Sequence, residues 1–300
     1  MATKTNVIGR VTYFRALPFL APATILYTFF VIYPLSQTIW LSFTKWNGFK
    51  TVEPIFVGLK NYRYIFTKDP VFYTALKNSF IWVILSLLIP MLLGLLLAVA
   101  LNQNIVGRNF FRSVFYIPAV LAGIAVAAMW NWIYNPDFGV INSIFSYLGH
   151  PEWGKQWLGD PKIALFSVFV PFVWQATGFI MVLYLAGLQS VPQDLLEAAR
   201  VDGANAWQRF WAVTIPALRP TTSVVLALTI INSLKVFDLV VGLTNGGPAQ
   251  STQVLALWSY YQSFGNHTFG TGSALSAVLL GITLAIILPY LIWTLREEKK

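Results

Sequence analysis

Few residues of this chain could do chemistry by themselves, and their spacing argues against it. The stretch Gly149-His150-Pro151-Glu152-Trp153-Gly154-Lys155-Gln156 carries the glycines and the lysine of a phosphate-binding loop. Such a loop needs Ser or Thr after the lysine to hold magnesium, and a strand before the first glycine. Gln156 stands where the hydroxyl should be, a proline interrupts the loop, and no strand-like run precedes it, so the match is fortuitous. His150 and His267 lie in separate polar stretches with no partner at metal-ligand spacing. There is no cysteine, which removes disulfides and thiolate metal sites. No serine–histidine–acid set is visible, and no carboxylate pair falls within an apolar run. These residues imply a chain that is not an enzyme and has no catalytic, cofactor or metal site of its own.

The elements that carry these residues are apolar. Of 300 residues, 57% are hydrophobic and 10% charged, with a mean hydropathy of +0.64. A soluble domain carries about 25% charged residues, so this chain lacks the polar side chains to cover a water-facing surface. Six apolar segments stand out, at Ala16–Phe43, Ser79–Leu101, Ser113–Tyr134, Ile163–Leu188, Thr221–Leu243 and Ser273–Leu295. Crossing a bilayer takes about 20 residues of helix, and these runs lack the alternation of barrel strands. Pro34, Pro90, Pro118, Pro171 and Pro289 fall inside them; neighbouring helices of a membrane bundle can satisfy the carbonyls a proline frees. The first run is too long for a signal-peptide core and no small-x-small cleavage site follows, so it reads as an uncleaved span.

Charge orients the spans. The net charge of +9 fits cytoplasmic loops and anionic lipid headgroups, and no basic cluster resembles a nucleic-acid recognition motif. With both ends inside, the inner regions hold eleven cations, among them every arginine except Arg63, against eight in the outer loops. The inner regions are much shorter in total, so the density bias favours this orientation. The expectation is a cytoplasmic segment 1–15, a six-helix membrane domain 16–295 and a cytoplasmic tail 296–300. Trp40, Trp46, Trp130, Trp132, Tyr134, Trp258, Tyr260 and Tyr261 then gather near the outer interface as an aromatic belt.

The longest inner connection, Val191 to Pro220, does not read as slack linker. Pro192 and Asp194 open a helix whose apolar side holds Leu195, Leu196, Ala198 and Ala199. Gly203 ends it, because glycine readily takes the left-handed conformation of a helix stop. A second short helix, Ala206 to Val213, leads to Ile215-Pro216. Taken by itself this is a helix-turn-helix at the inner surface, open to a role as an anchoring amphipathic helix or as a dock.

Glu197-Ala198-Ala199, Gly203 four residues on, and Ile215-Pro216 beyond resemble the EAA loop of binding-protein-dependent ABC import permeases. LTNGGPAQSTQVL (Leu243–Leu255) and VGLKNYRYIF (Val57–Phe66) resemble outer loops of the carbohydrate branch of that family. The likeness is to the first of two different permeases in maltose/oligosaccharide or glycerol-phosphate importers, without the extra spans and large outer domain of the maltose permease. It implies an all-α integral membrane protein of the type I ABC importer permease (MetI-like) fold, in a bacterial or archaeal cell membrane. It implies as partners a second homologous permease, two ATPase subunits that bind ATP and magnesium, an external sugar-binding protein and a sugar. Glu197, Ala198, Ala199, Asp202 and Gly203 would form the knob that docks on the ATPase. The alternative is a self-sufficient secondary transporter or channel. It would leave the Glu197 loop without a task, and Asp238 is the only acid within an apolar segment.

A sugar needs hydrogen-bonding groups for its hydroxyls and flat apolar faces for its ring carbons, near the midplane of the membrane. The fourth segment offers Phe172, Gln175 and Phe179 on one helical face, and the fifth offers Thr229, Asn232, Ser233 and Val236 at three- and four-residue spacing. The resemblance places the sugar on these faces; the plain alternative is hydrogen bonding between helices. Lys235 and Asp238, three apart, can neutralise each other at helical spacing on one helix. Either they line a hydrated cavity or Lys235 snorkels to the outer interface, and a structural pair near the outer gate is the favoured reading.

Overall fold

The computed structural model of the chain describes residues 18–297. The expected segment 1–15 and the end of the tail lie outside the described residues. The chain forms two compact units, one of residues up to Lys68 together with Ser259–Ala277, the other of Asp69–Trp258 with the residues from Val278 on.

The first unit begins with α1 (Pro18–Ser42), whose apolar side chains such as Phe19, Phe29 and Phe30 are exposed. A two-stranded antiparallel ribbon follows, β1 (Thr44–Lys45) against β2 (Ile55–Phe56), and then α2 (Lys60–Thr67). Asn61 joins them, donating its side-chain amide to the carbonyls of Ser42 and Thr44 at 2.8 and 2.7 Å.

The second unit holds α3 (Phe72–Leu101), α4 (Arg108–Val120), α5 (Gly123–Ile133), α6 (Val140–Tyr147), α7 (Ala164–Gln189), α8 (Gln193–Val201), α9 (Ala206–Ala217), α10 (Arg219–Leu234) and α11 (Asp238–Leu243). Two helices belong in part to each unit, α12 (Leu255–Tyr260) and α13 (Phe269–Glu297). With 30 residues, α3 is about 45 Å long at 1.5 Å per residue. Its start is set by Asp69, whose carboxylate accepts from the amides of Val71 and Phe72 at 2.9 and 3.1 Å and from the Trp258 indole at 2.8 Å. The buried acid thus has donors on both oxygens, as a desolvated carboxylate requires.

α7 is the centre of the second unit. Ile180, Met181, Tyr184, Leu185 and Leu188 pack with Ala98, Leu101, Leu218 and Val225. Gly178 allows α4 to approach, since a Cβ there would lie 2.1 Å from the Phe115 carbonyl oxygen. A second cluster joins α3, α10 and α13 through Val83, Ile230, Leu234 and Ile287.

The prolines are accommodated as a membrane bundle allows. Pro171 frees the carbonyl of Ser167, which accepts the Tyr134 hydroxyl at 2.8 Å. Pro34 and Pro216 each follow a widened π turn, closed by bonds from the Tyr33 amide to Thr28 and from the Ile215 amide to Phe210.

Among the described residues, four helices are long and apolar enough to cross a membrane, and two bent pairs raise the number to six if each pair is one span. The expected third and fifth spans are therefore not straight helices. The third breaks into α4 and α5 at a bend of 100°, where Leu121 and Ala122 are extended three residues after Pro118. The fifth ends at Leu234 and restarts at Asp238, and on its other side α9 meets α10 at 66°.

Candidate functional site

Two adjoining cavities lie along α7 and α10. One, of about 180 Å³, is walled by Phe172, Gln175, Ala176 and Phe179 from α7, by Thr229 and Asn232 from α10, and by Ala119 from α4. The other, of about 220 Å³, is walled by Phe172, Gln175 and Asn232 again, with Gly123, Lys235, Val236 and Asp238. Phe172, Gln175 and Asn232 thus stand at the junction of an apolar chamber and a charged one.

The helical spacing that marks residues 172, 175, 176 and 179 as one face does put all of them on a cavity wall. Phe172 is anchored from behind by Trp82, whose ring lies 5.3 Å away in an edge contact. Phe179 is 39% exposed and presents its ring openly. Gln175 donates to the Leu121 carbonyl at 2.7 Å, the carbonyl left over where α4 stops. Part of its hydrogen-bonding capacity therefore holds the break open. From α10, Thr229 and Asn232 reach the first cavity, but Ser233 does not. It is fully buried, and its hydroxyl has no hydrogen-bond partner among the described residues. The wall runs through 225, 228, 229 and 232, so position 233 turns into the packed side of the helix.

Lys235 and Asp238 correct a sequence expectation. Lys235 caps the end of α10 and Asp238 begins α11, so they do not share a helix. Neither forms an ion pair among the described residues, and both line the charged chamber. Helical spacing across 235–238 misled because only Val236 and Phe237 stand between the two charges, and both are as apolar as the helices they separate. Gly123 and Ala119 were missed for a related reason. Ala119 lines the first cavity from the last turn of α4, just before the bend, and Gly123 lines the second from the start of α5, just after it. Pro118 with Gly123 is the local signal for that bend.

The segment from Val191 to Pro220 forms the second functional feature. α8 ends in a full Schellman turn: Ala204 N–H donates to Ala199 O at 2.9 Å and Gly203 N–H to Arg200 O at 3.0 Å. Gly203 holds φ +80 there, the left-handed region that glycine occupies without penalty. α9 then opens with a capping box. Asn205 Oδ1 accepts from the Gln208 amide at 2.9 Å, and Gln208 Oε1 accepts from the Asn205 amide at 2.8 Å. Arg209 closes the turn by donating to Ala204 O at 2.6 Å. Glu197, Ala198, Asp202 and Gly203 are exposed around the bend and Ala199 is half-buried. Leu195 is exposed rather than inward-facing, and Val201 and Trp207 are exposed beside it. The second helix runs past Val213 to Ala217 through its π turn.

The loop Leu243–Leu255 is pinned rather than slack. Asn78 donates to the carbonyls of Ser251 and Gln253 at 2.8 and 2.9 Å, and the Leu255 amide donates to Ser79 Oγ at 3.0 Å.

A model of the family described as the inner membrane component of binding-protein-dependent transport systems matches residues 90–295. A probable ABC transporter permease protein of Pyrococcus horikoshii is 38% identical, over 94% of this chain and 96% of its own. The trehalose/maltose transport system permease protein of Thermococcus litoralis is 37% identical, over 94% of this chain and 93% of its own. A solved chain of a bacterial ABC transporter involved in the import of the acidic polysaccharide alginate aligns with a TM-score of 0.80 at 25% identity, covering 97% of this chain and 98% of that one. With a membrane-type helical fold, a cavity walled by broken helices and these relatives, the chain belongs to the inner membrane components of binding-protein-dependent transport systems, the permease subunits of ABC importers, which are transport components and not enzymes.

Proposed function

We propose that this permease carries a saccharide, an oligosaccharide, disaccharide or related polyol, along the faces of α7 and α10. The observation that carries this reading is the joint wall of the two cavities, where amides of Gln175 and Asn232 stand beside the rings of Phe172 and Phe179. An amide both donates and accepts, as a sugar hydroxyl requires, and a ring face suits the C–H side of a pyranose. The relatives named for trehalose/maltose and alginate transport support the same substrate class.

On this reading the chain pairs with a second homologous permease and two ATPase subunits, which bind the ATP and magnesium. An external sugar-binding protein delivers the substrate. The protein spans a bacterial or archaeal cell membrane with both termini in the cytoplasm. The turn bearing Glu197, Ala198, Ala199, Asp202 and Gly203 docks on the ATPase, and exposed Leu195, Val201 and Trp207 give that dock an apolar margin. Closure of the ATPases on ATP displaces this helix-turn-helix, and the two permeases rock so that the cavity faces inward.

The test is uptake by the assembled importer in proteoliposomes supplied with its binding protein. Labelled maltose, trehalose, glycerol phosphate and, for comparison, a mixture of labelled amino acids are offered with and without ATP inside. ATP-dependent uptake of at least one saccharide is expected. Binding-protein-stimulated ATP hydrolysis with no saccharide accumulated, against uptake of an amino acid, would overturn the substrate class.

A further inference from the structure

A further cavity, of about 390 Å³, opens among β1, the start of α2 and the turn leading into α13, and it shares no lining residue with the cavities on α7 and α10. Its volume falls within the range of about 300–1,000 Å³ typical of small-molecule sites. Lys45 and Lys60 bring ammonium groups to it, Trp46 and Tyr64 bring ring faces, and Asn47 and Thr271 bring hydrogen-bonding groups.

The frame around it is extensively bonded. Trp46 Nε1 donates to Val52 O at 2.7 Å, and the Gly270 amide donates to Trp46 O at 3.3 Å. Thr268 Oγ1 lies 2.8 Å from both Gln262 O and Gln262 Oε1 and shares its one proton between them. His267, also on the wall, is held at φ 52 with its ring centre 5.3 Å from that of Phe49. Few residues other than glycine adopt that backbone region.

Within this frame the cations lack counter-ions. Lys45 and Lys60 are exposed, and neither forms an ion pair among the described residues. Glu53 is the one acid among the described residues of this unit, against Lys45, Lys50, Lys60, Arg63 and Lys68. A concave wall of uncompensated ammonium groups, amides and aromatic rings suits an anion carried on a polyhydroxylated ring.

We propose that this cavity is a second ligand site, for an anionic saccharide: a sugar ring bearing a carboxylate or a phosphate. Lys45 and Lys60 neutralise the anion, Trp46 and Tyr64 cover the C–H face of the ring, and Asn47 and Thr271 take its hydroxyls. Such a site is independent of which sugar passes along α7 and α10.

The importer assembled with the full chain, in nanodiscs of zwitterionic phosphatidylcholine, is titrated by calorimetry with glucuronate, glucose 6-phosphate, glucose and acetate. One of the two sugar anions is expected to bind about tenfold more tightly than either glucose or acetate. Lys45→Gln with Lys60→Gln removes that preference, while Lys45→Arg with Lys60→Arg keeps it. Lys50→Gln with Lys68→Gln, which alters cations off the cavity wall, leaves it unchanged. Equal affinity for glucose, no binding of either sugar anion, or equal losses from the Lys50/Lys68 variant overturns the site. Repeating the titration in phosphatidylglycerol nanodiscs separates the sources of the anion. Retained affinity supports the saccharide, whereas loss of binding assigns the cavity to a lipid headgroup and overturns it.

Discussion

The side-chain amide of Gln175 and the main-chain carbonyl of Leu121 meet at 2.7 Å. This one bond joins α7 to the end of α4, at the point where a bend of 100° begins. A carbonyl stranded by a helix break needs a partner when water is excluded, and Gln175 supplies it. The same side chain stands on the wall of both cavities. The bond that satisfies the break and a place on both cavity walls therefore converge on a single residue here, whereas Asn232 across the cavity belongs to the walls alone.

Gln175→Ala and Asn232→Ala should accordingly fail in different ways. Removing Gln175 leaves a carbonyl unpaired, at a cost of about 1–3 kcal/mol, so a lower melting temperature should accompany lost uptake. Asn232→Ala should reduce uptake roughly tenfold for the loss of one hydrogen bond of that size, with the melting temperature unchanged and ATP hydrolysis partly kept. Thermal unfolding of both variants, beside uptake normalised to assembled complex, decides this. Identical melting would remove the structural role given to Gln175.

Gly178→Leu should prevent α4 from seating on α7. A side chain there would begin 2.1 Å from the Phe115 carbonyl oxygen, which is backbone and cannot swing away. Gly281→Leu is the matched control, since among the described residues no atom outside the adjoining turns of its own helix lies within 4 Å of a Cβ there. Size-exclusion profiles of the two variants should show loss of the folded peak for the first and its retention for the second.

Glu197→Lys with Gly203→Pro should leave the protein in the membrane but detached from the ATPase. The first change reverses a charge on the exposed bend. The second replaces a residue at φ +80 with one fixed near −65°, which breaks the Schellman turn. Co-purification of ATPase subunits at the wild-type level, with uptake intact, would refute docking through this bend.

Topology can be read by cysteine labelling, because the chain contains no cysteine. Tyr147 and Val106 are 91% and 99% exposed, on connections expected outside and inside respectively. An impermeant maleimide added to intact cells should label Tyr147→Cys and spare Val106→Cys until the cells are opened. The reverse pattern would invert the protein in the membrane.

Much of this was legible in residue types. Long apolar runs give the spans, and Gly203 after Glu197-Ala198-Ala199 gives the turn. What composition could not give was continuity. Leu121 and Ala122 are as apolar as the helices they separate, and so are Val236 and Phe237. Hydropathy is blind to a break that costs no hydrophobicity. Pro118 lies three residues before the first break, but Pro90 and Pro171 lie inside helices that continue, so proline alone does not decide. Ser233 was misplaced for a finer reason. A face defined by three- and four-residue spacing is wider than the strip that meets the cavity, and a shift of one position crosses its edge.

The turn between α8 and α9 is closed from both directions, by the Schellman bonds behind it and by the capping box and Arg209 ahead. A joint bonded in this way has little compliance. A push on α8 is then not absorbed at Gly203, although glycine there would suggest a hinge. It passes into α9 as through a bracket. The give lies further along, in the π turn Phe210–Thr214 and at the 66° elbow before Arg219, where the ladder of bonds is already widened or interrupted. On the proposed docking, displacement of the bracket would be converted into a change of tilt of α10, the helix that carries Asn232.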